Sequence, residues 1–487
     1  MTFPRNAGIL LHPTSLPSPH GIGDLGPEAH AFLDFLAQAG MKIWQVLPLG
    51  PTGYGDSPYQ CFSAFAGNPL LIHSPGAGGG FPANTVDFER VITHKAVLLN
   101  AALDRFTPDN AYHAFVEGAR WWLDDYALFM ALKQAHGGVS WTDWEPGAAH
   151  RDPAALAVYR QKLAEPIERI RRGQYFFFVQ FRALKEAAGA RGIQLMGDLP
   201  IYVAHDSADV WANRSLFKLK PDGRLLTQAG VPPDYFSATG QLWGNPIYDW
   251  DALAKTNYEW WIRRMRAAFE LYDLVRIDHF RGFEAFWEVP GDATTAINGR
   301  WTPGPGAALF EAIERALGRL PIVAENLGLI TPAVEALRER FGFPGMSILQ
   351  FAFGGDGQAK EFKPHNFPRE RVVYTGTHDN DTTMGWWESG AGDSTRSLEE
   401  VTREKSYAKR YLNTDGTEMH WVLMRAALAS VANTVLIPMQ DVLGLGREAR
   451  MNLPGRQAGN WGFRFRWAQV TPAITARLRE LVDLYDR

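Results

Sequence analysis

Asp-Leu-Val-Arg-Ile-Asp-His-Phe-Arg-Gly-Phe-Glu-Ala-Phe, residues 273–286, is the stretch from which the rest of the chain can be read. Residues 274–277 are apolar and largely β-branched apart from Arg276, the composition of a buried strand. Side chains alternate along a strand, so Arg276 and Asp278 share one face while Val275 and Ile277 take the other. A cation and a carboxylate on one face, at the strand's C-terminal end, are costly to bury unless they are paired or put to use. Taken alone, an Arg-x-Asp is better explained by a structural ion pair or a cap on the next helix. The remaining sequence decides between these readings.

The same design recurs on either side. Short apolar runs end in polar or turn residues at 8–11 (then His12-Pro13), 43–47 (Pro48), 193–196 (Gly197-Asp198), 274–277 (Asp278), 322–324 (Glu325), 347–353 (Gly354-Gly355), 372–374 (Gly376-Thr377-His378-Asp379) and 435–438 (Gln440-Asp441). Helical patterns lie between most of them, at 27–39, 257–270, 307–317 and 332–341, with Pro27 suited to a first helical position. Strand and helix alternating in this way predict an α/β fold, a (β/α)8 TIM barrel. The steps from 278 to 325, 325 to 352 and 352 to 378 are near the roughly 30 residues per unit of a barrel of about 250 residues. The steps from 47 to 198 and from 198 to 278 are much longer. They predict large insertions after strands two and three, forming helical and loop subdomains at about 51–190 and 201–255, within one catalytic unit spanning 1–487. The first insertion opens as a loop at 52–59 and turns helical after about residue 90. Thr107-Pro108 and Asp152-Pro153 read as helix caps, and Gly137-Gly138 as the stop of a helix carrying Trp121 and Trp122. The apolar segment 175–181 is suited to packing this insertion onto the barrel.

The totals narrow the function classes. With 46% hydrophobic and 21% charged residues, the chain is globular in composition. A formal net charge of −4 gives no basic field, so neither nucleic acid nor an anionic membrane is an expected partner. Cys61 is the sole cysteine, which rules out an internal disulfide and a thiolate metal cluster and fits a reducing, cytoplasmic location. The apolar run 7–11 is too short for a signal peptide, and none approaches the length of a membrane span. Aromatics are abundant, with 17 Trp, 15 Tyr and 29 Phe, and several stand in Gly- and Pro-rich loops where filling a core is the weaker explanation.

Four carboxylates fall at the expected strand ends: Asp198, Asp278, Glu325 and Asp379. Each alone reads as a cap, but four on one barrel rim raise one another's pKa and call for a purpose. Arg276 and His378 stand ready to offset the charge. Two carboxylates flanking a scissile bond are the apparatus of glycoside chemistry, one ionised to attack and one protonated to release the leaving oxygen. Asp278, next to a cation, suits the first role. Glu325, preceded by Ile322, Val323 and Ala324 with no adjacent cation, suits the second.

Residues 276–283 (Arg-Ile-Asp-His-Phe-Arg-Gly-Phe), 324–328 (Ala-Glu-Asn-Leu-Gly) and 376–382 (Gly-Thr-His-Asp-Asn-Asp-Thr) resemble the strand-four, strand-five and strand-seven motifs of the 4-α-glucanotransferases, the amylomaltase family of the α-amylase clan. Residues 11–17, 57–69, 232–237, 243–246 and 449–455 are similar to further motifs of that family, so the likeness spans nearly the whole chain. The resemblance implies a retaining transfer of an α-1,4-glucan segment to the 4-hydroxyl of an acceptor. It implies Asp278 as nucleophile, Glu325 as general acid/base and Asp379 as holder of the sugar hydroxyls. Arg276 and His378 are implied as donors around the cleavage subsite, with Asn452 nearby and Asp198 as a further binding carboxylate. Tyr54, Ser57, Tyr235, Phe236 and Trp243 match the glucan-contacting loops. Maltooligosaccharides and longer α-glucans are the implied substrates, glucose an acceptor, with no cofactor, no metal and a monomeric chain. Asn326, Cys61 and Leu453 stand where the family often has Asp, Ser and Tyr. None of the three removes a reacting group.

Three other readings compete. His12, His205, His279 and His378 with Asp379 and Asp381 invite a metal site, but no dense His pair has ligand spacing. A non-catalytic glucan-binding protein on the same fold would not need every reacting group. A glucan hydrolase shares the first chemical step and differs only in its acceptor.

Overall fold

The computed structural model describes residues 3–233, 237, 239–355, 357–390, 397–456 and 458–487. Eight parallel strands form its centre: β1 (Asn6–Leu10), β2 (Ile43–Gln45), β3 (Gln194–Pro200), β4 (Leu274–Asp278), β5 (Ile322–Ala324), β6 (Gly345–Ile348), β7 (Arg371–Tyr374) and β8 (Thr434–Pro438). Their order in the sheet is β6-β7-β8-β1-β2-β3-β4-β5. Its two ends, β5 and β6, are consecutive in the chain, and the Ala324 N–H donates to the Pro344 carbonyl across them at 2.9 Å. The sheet therefore curls into a (β/α)8 barrel.

Alternation along each strand sorts the side chains. Ile43, Met196, Leu274, Val323, Met346, Val372 and Leu436 meet inside the barrel, and Phe3 packs with them. Val275 and Ile277 face the surrounding helices in the main core. Gly8 must be glycine, since a Cβ there would lie 2.3 Å from the Ile43 carbonyl oxygen. Towards the strands' C-terminal ends the interior turns polar: Gln45 accepts a hydrogen bond from the Tyr374 hydroxyl at 2.9 Å, and Asp198 and Arg276 stand beside them. Helices Pro27–Gln38, Glu259–Leu271, Ala307–Leu317, Pro332–Arg340, Met419–Ala429 and Pro472–Leu484 surround the strands.

Between β2 and β3 lie the helices Phe88–Arg105, Asn110–Ala135, Pro153–Lys162 and Ala164–Ala190. Asp152 caps the third as its sequence signature predicts, with its side chain accepting from Ala155 N–H. Thr107-Pro108 is not a cap. Asp109 takes that place, accepting from Tyr112 N–H, because its carboxylate reaches the exposed donor two residues later than the Thr-Pro reading required. Phe177 and Phe181 bury the long helix Ala164–Ala190 against the barrel, Phe181 meeting Tyr272 edge-on at 5.8 Å.

Elements after β3 and β4 build a second sheet that the sequence reading did not foresee. Strands Gln241–Pro246, Thr227–Val231, Ala285–Pro290 and Arg300–Pro303 pair antiparallel in that order.

Candidate active site

The site begins with the register of β3 on β4, which places Asp198 beside Arg276 and Pro200 beside Asp278. Arg276 Nη1 donates to both oxygens of Asp198 at 2.7 Å, and the Tyr59 hydroxyl donates to Asp198 Oδ2 at 2.9 Å. The other arm of the guanidinium, Nη2, lies 3.0 Å from Asp278 Oδ1. Arg276 thus bridges two carboxylates, as their shared strand face requires. Burial works against its charge, but Asp198 and Asp278 raise its pKa well above the ordinary value. Burial lifts the Asp198 carboxyl despite Arg276. Arg276 keeps its charge, since an arginine does not give up its proton inside a protein.

Glu325 follows β5 directly and its backbone N–H donates to the Ile277 carbonyl at 3.0 Å, which sets it alongside Asp278. The next residue after Asp278, His279, adopts a left-handed backbone with φ 51° and ψ 48°. This conformation is uncommon outside glycine and collects at functional sites. Here it turns the His279 N–H onto Glu325 Oε2 at 2.8 Å, while the Leu327 N–H donates to Oε1 at 2.7 Å. Only 9% exposed, Glu325 has its carboxyl pushed up to about 7, first by burial and then by the Asp278 charge. Arg276 and the two backbone donors hold it from rising further.

After β7, Asp379 keeps 45% of its side chain exposed, and its Oδ1 accepts from Asn452 Nδ2 at 2.6 Å and lies 3.4 Å from His378 Nε2. Asn452 is held in turn by its own N–H on the His378 carbonyl at 3.0 Å. The His378 ring is buried and stacks on Tyr59 at 5.2 Å with 15° between planes; Trp461 closes the cluster 5.8 Å from Tyr59. His12 at the end of β1 is buried and kept neutral, its pKa lowered to about 3 by burial and then by His378.

Asp198, Arg276, Asp278, Glu325, His378, Asp379 and Asn452 are therefore brought into one linked group. Ser57 joins it through Tyr59, whose N–H donates to the Ser57 hydroxyl at 3.2 Å. Trp243, on the strand Gln241–Pro246, stands at 90° to the His279 ring with centroids 4.8 Å apart. Tyr54 is 71% exposed on the turn Tyr54–Asp56; its carbonyl accepts from the Ser57 N–H at 3.5 Å, but its side chain makes no hydrogen bond or ring contact with this group among the described residues. Tyr235 and Phe236 lie outside the described residues.

Tyr59, His279 and Trp461 were missed. Tyr59 sits inside the loop 57–69 and His279 directly follows Asp278, but neither shows from sequence alone that it touches a carboxylate or its neighbours. The signal for Trp461 is an aromatic between Asn460 and Gly462 in a loop. Among the described residues, no three His, Cys, Asp or Glu side chains are grouped to hold a metal ion.

The chemical content is two carboxylates in contrasting environments. One is ion-paired and partly open, and the other is buried and near neutrality in its titration. That contrast equips a site for nucleophilic attack and proton transfer on the same bond. Comparison with known proteins adds independent findings. The sequence model of the 4-alpha-glucanotransferase family matches residues 11–470. The 4-alpha-glucanotransferase of Thermus thermophilus is 50% identical over 510 aligned residues, covering 100% of each chain. That of Synechocystis sp. is 48% identical, covering 99% of this chain and 98% of its own. An amylomaltase from Streptococcus agalactiae, solved in complex with acarbose, superposes with a TM-score of 0.94 at 40% identity over 99% of both chains.

Proposed function

The chain belongs to the 4-alpha-glucanotransferase family of transglycosidases, and from that premise we propose that it moves a segment of an α-1,4-glucan to the 4-hydroxyl of an acceptor sugar by double displacement. Glu325 protonates the glycosidic oxygen as Asp278 attacks the anomeric carbon, forming a glycosyl-enzyme and releasing the leaving glucan. Glu325, now ionised, takes the proton of the acceptor hydroxyl as that oxygen displaces Asp278.

The observation that carries this reading is the division of labour between the two carboxylates. Asp278 is paired with Arg276 at 3.0 Å and keeps 30% of its side chain exposed, a placement that suits the attacking group. Glu325 has a carboxyl pushed up to about 7, where it exchanges a proton readily near neutral pH. Asp379, held by Asn452 and still partly open, suits a bidentate grip on two hydroxyls of the sugar as it distorts. His378 and Arg276 supply donors at the same place. Asp198 supports them from below through its buried pair with Arg276.

Maltooligosaccharides and longer α-glucans are the proposed donors, with glucose or a glucan chain as acceptor. A monomeric chain and a cytoplasmic setting complete the reading, the latter in keeping with a single cysteine, Cys61. Among the described residues no helix is long and apolar enough to cross a membrane. Asp278→Asn tests the core of the proposal: turnover should fall by several orders of magnitude while glucan binding survives, because the covalent intermediate needs a carboxylate. A folded variant with near-native kcat would remove Asp278 from the role.

A further inference from the structure

Away from the reacting carboxylates, a cleft of about 680 Å³ opens between helices Asn110–Ala135, Ala164–Ala190 and Glu259–Leu271. Its volume lies within the roughly 300–1,000 Å³ typical of small-molecule sites. The walls are aromatic, from Phe65, Phe115, Trp121, Trp122, Phe177 and Phe178. Arg276, Asp278, Glu325, His378 and Asp379 do not line it. Only Tyr59 and Asp198 belong both to its inner wall and to the site described above.

The charges around the cleft are unbalanced. Arg182 and Arg266 line it and are exposed, and their side chains have no hydrogen bond, ion pair or ring partner among the described residues. Arg263 is already matched by Glu259 at 2.7 Å, which leaves Glu270 as the facing carboxylate at the mouth. Deeper in, the buried Arg264 donates to the carbonyls of Pro200 and Ile201 at 2.6 and 2.9 Å and to the Tyr248 hydroxyl at 3.2 Å. No carboxylate pairs with it within 4.0 Å among the described residues. An apolar chamber under a net positive rim is complementary to a molecule with an apolar body and an acidic head.

We propose that this cleft is an effector site for an amphipathic organic anion, with the apolar body among the aromatic walls and the acid group between Arg182 and Arg266. Its occupant presses on Tyr59, whose hydroxyl holds Asp198 and whose ring stacks on His378. Binding and glucan turnover are thereby coupled, and by linkage each changes the other. This coupling rests on the proposed function, whereas the binding itself does not.

The test uses 8-anilinonaphthalene-1-sulfonate as the anionic probe and N-phenyl-1-naphthylamine as its neutral counterpart, followed by fluorescence on the whole protein. Arg182→Glu with Arg266→Glu changes two exposed, unpaired side chains and should weaken the anionic probe at least tenfold while leaving the neutral one within twofold. Gly118→Phe fills the mouth from a helix position where a Cβ would meet no atom within 4 Å, so folding should survive and both probes should be lost. In the wild-type chain, saturating anionic probe should change kcat/KM for maltotriose, and in Gly118→Phe it should not. Anionic binding unchanged in both variants, with circular dichroism intact, overturns the site. Binding that follows the variants while kcat/KM never moves with the probe overturns the effector role.

Discussion

In the proposed mechanism Glu325 serves two steps that ask for opposite protonation states, and its surroundings suit both. Burial and Asp278 favour the protonated acid, while the N–H groups of His279 and Leu327 and the charge of Arg276 favour the anion. The balance at about 7 makes the first step depend on an acid that is lost as pH rises through neutrality. For natural glucans, kcat/KM should therefore fall above about pH 7. A glucosyl fluoride needs no acid to leave, so its loading step should lack that limb. Glu325→Gln should accept the fluoride and accumulate an adduct on Asp278 detectable by mass spectrometry; equal loss on both substrates without an adduct would contradict the assignment. The same shift is a stability statement. Folded Glu325 binds its proton more tightly than the ordinary value of 4.5, so its contribution to stability is greatest below 4.5 and declines as pH rises to about 7. The decline amounts to about 3 kcal/mol for a shift of this size. Glu325→Gln has no such group, so its stability relative to wild type should rise by about that amount between pH 4.5 and 7.5 in urea titrations. The absolute difference is less telling, because one backbone N–H would then face an amide NH₂.

At the scale of elements, β4 was legible because its alternation is clean: Leu274 turns inward, Val275 and Ile277 turn outward, and Arg276 and Asp278 are left on the inner face. β3 runs further than its composition indicates. Gly197, Asp198 and Pro200 are poor strand residues, yet pairing with β4 carries the ladder through Pro200, so Asp198 lies inside the strand and not after it. β6 fails in the other direction, ending at Ile348 before the short turn Leu349–Phe351, since an apolar run alone does not distinguish strand from turn. The antiparallel sheet was hidden because its strands come from two separate insertions and one of them contains Gly244, Asn245 and Pro246. Positions at strand ends were therefore readable, while contacts made by loops, such as Tyr59 on Asp198, depended on tertiary approach. One departure from the family pattern acquires a reason at this scale. Asn326 accepts from the Met346 N–H at 2.8 Å and donates to Glu335 at 2.6 Å, stitching β5 to β6 where the barrel closes. Asn326→Asp would set a carboxylate against Glu335 in place of a donor. It should lower stability by about 1–3 kcal/mol at neutral pH, less in acid, as read by urea denaturation. An unchanged midpoint at neutral pH would mean that the seam does not depend on this bond.

Over the whole molecule, the proposed mechanism takes its reacting pair from the barrel and leaves the choice of acceptor to the insertions. Both acceptors, sugar and water, use Asp278 and Glu325 alike, so the choice lies in what occupies the space beside Glu325 after the leaving glucan departs. Water far outnumbers any sugar, and a sugar competes only if it is held with its hydroxyl aimed at the reacting carbon. Two insertions converge where that holding is needed. Gln60, in the loop after β2, donates to the Trp243 carbonyl at 3.2 Å and to Asn245 Oδ1 at 3.3 Å on the strand that follows β3. Trp243 in turn stands over His279, whose backbone N–H is bound to Glu325. The proposed mechanism uses the Trp243 ring as a stacking surface for a pyranose that keeps water from Glu325. Maltotriose should accordingly give glucose together with a ladder of longer maltooligosaccharides, with little net gain in reducing ends. Trp243→Ala should raise the hydrolysed fraction severalfold while lowering the rate of glycosyl-enzyme formation much less, and Gln60→Ala, which frees the strand without removing the ring, should move the ratio in the same direction by a smaller amount. Reducing ends that rise in step with substrate loss, with no product longer than maltotriose, would make water the acceptor and leave the joined insertions without the part assigned to them.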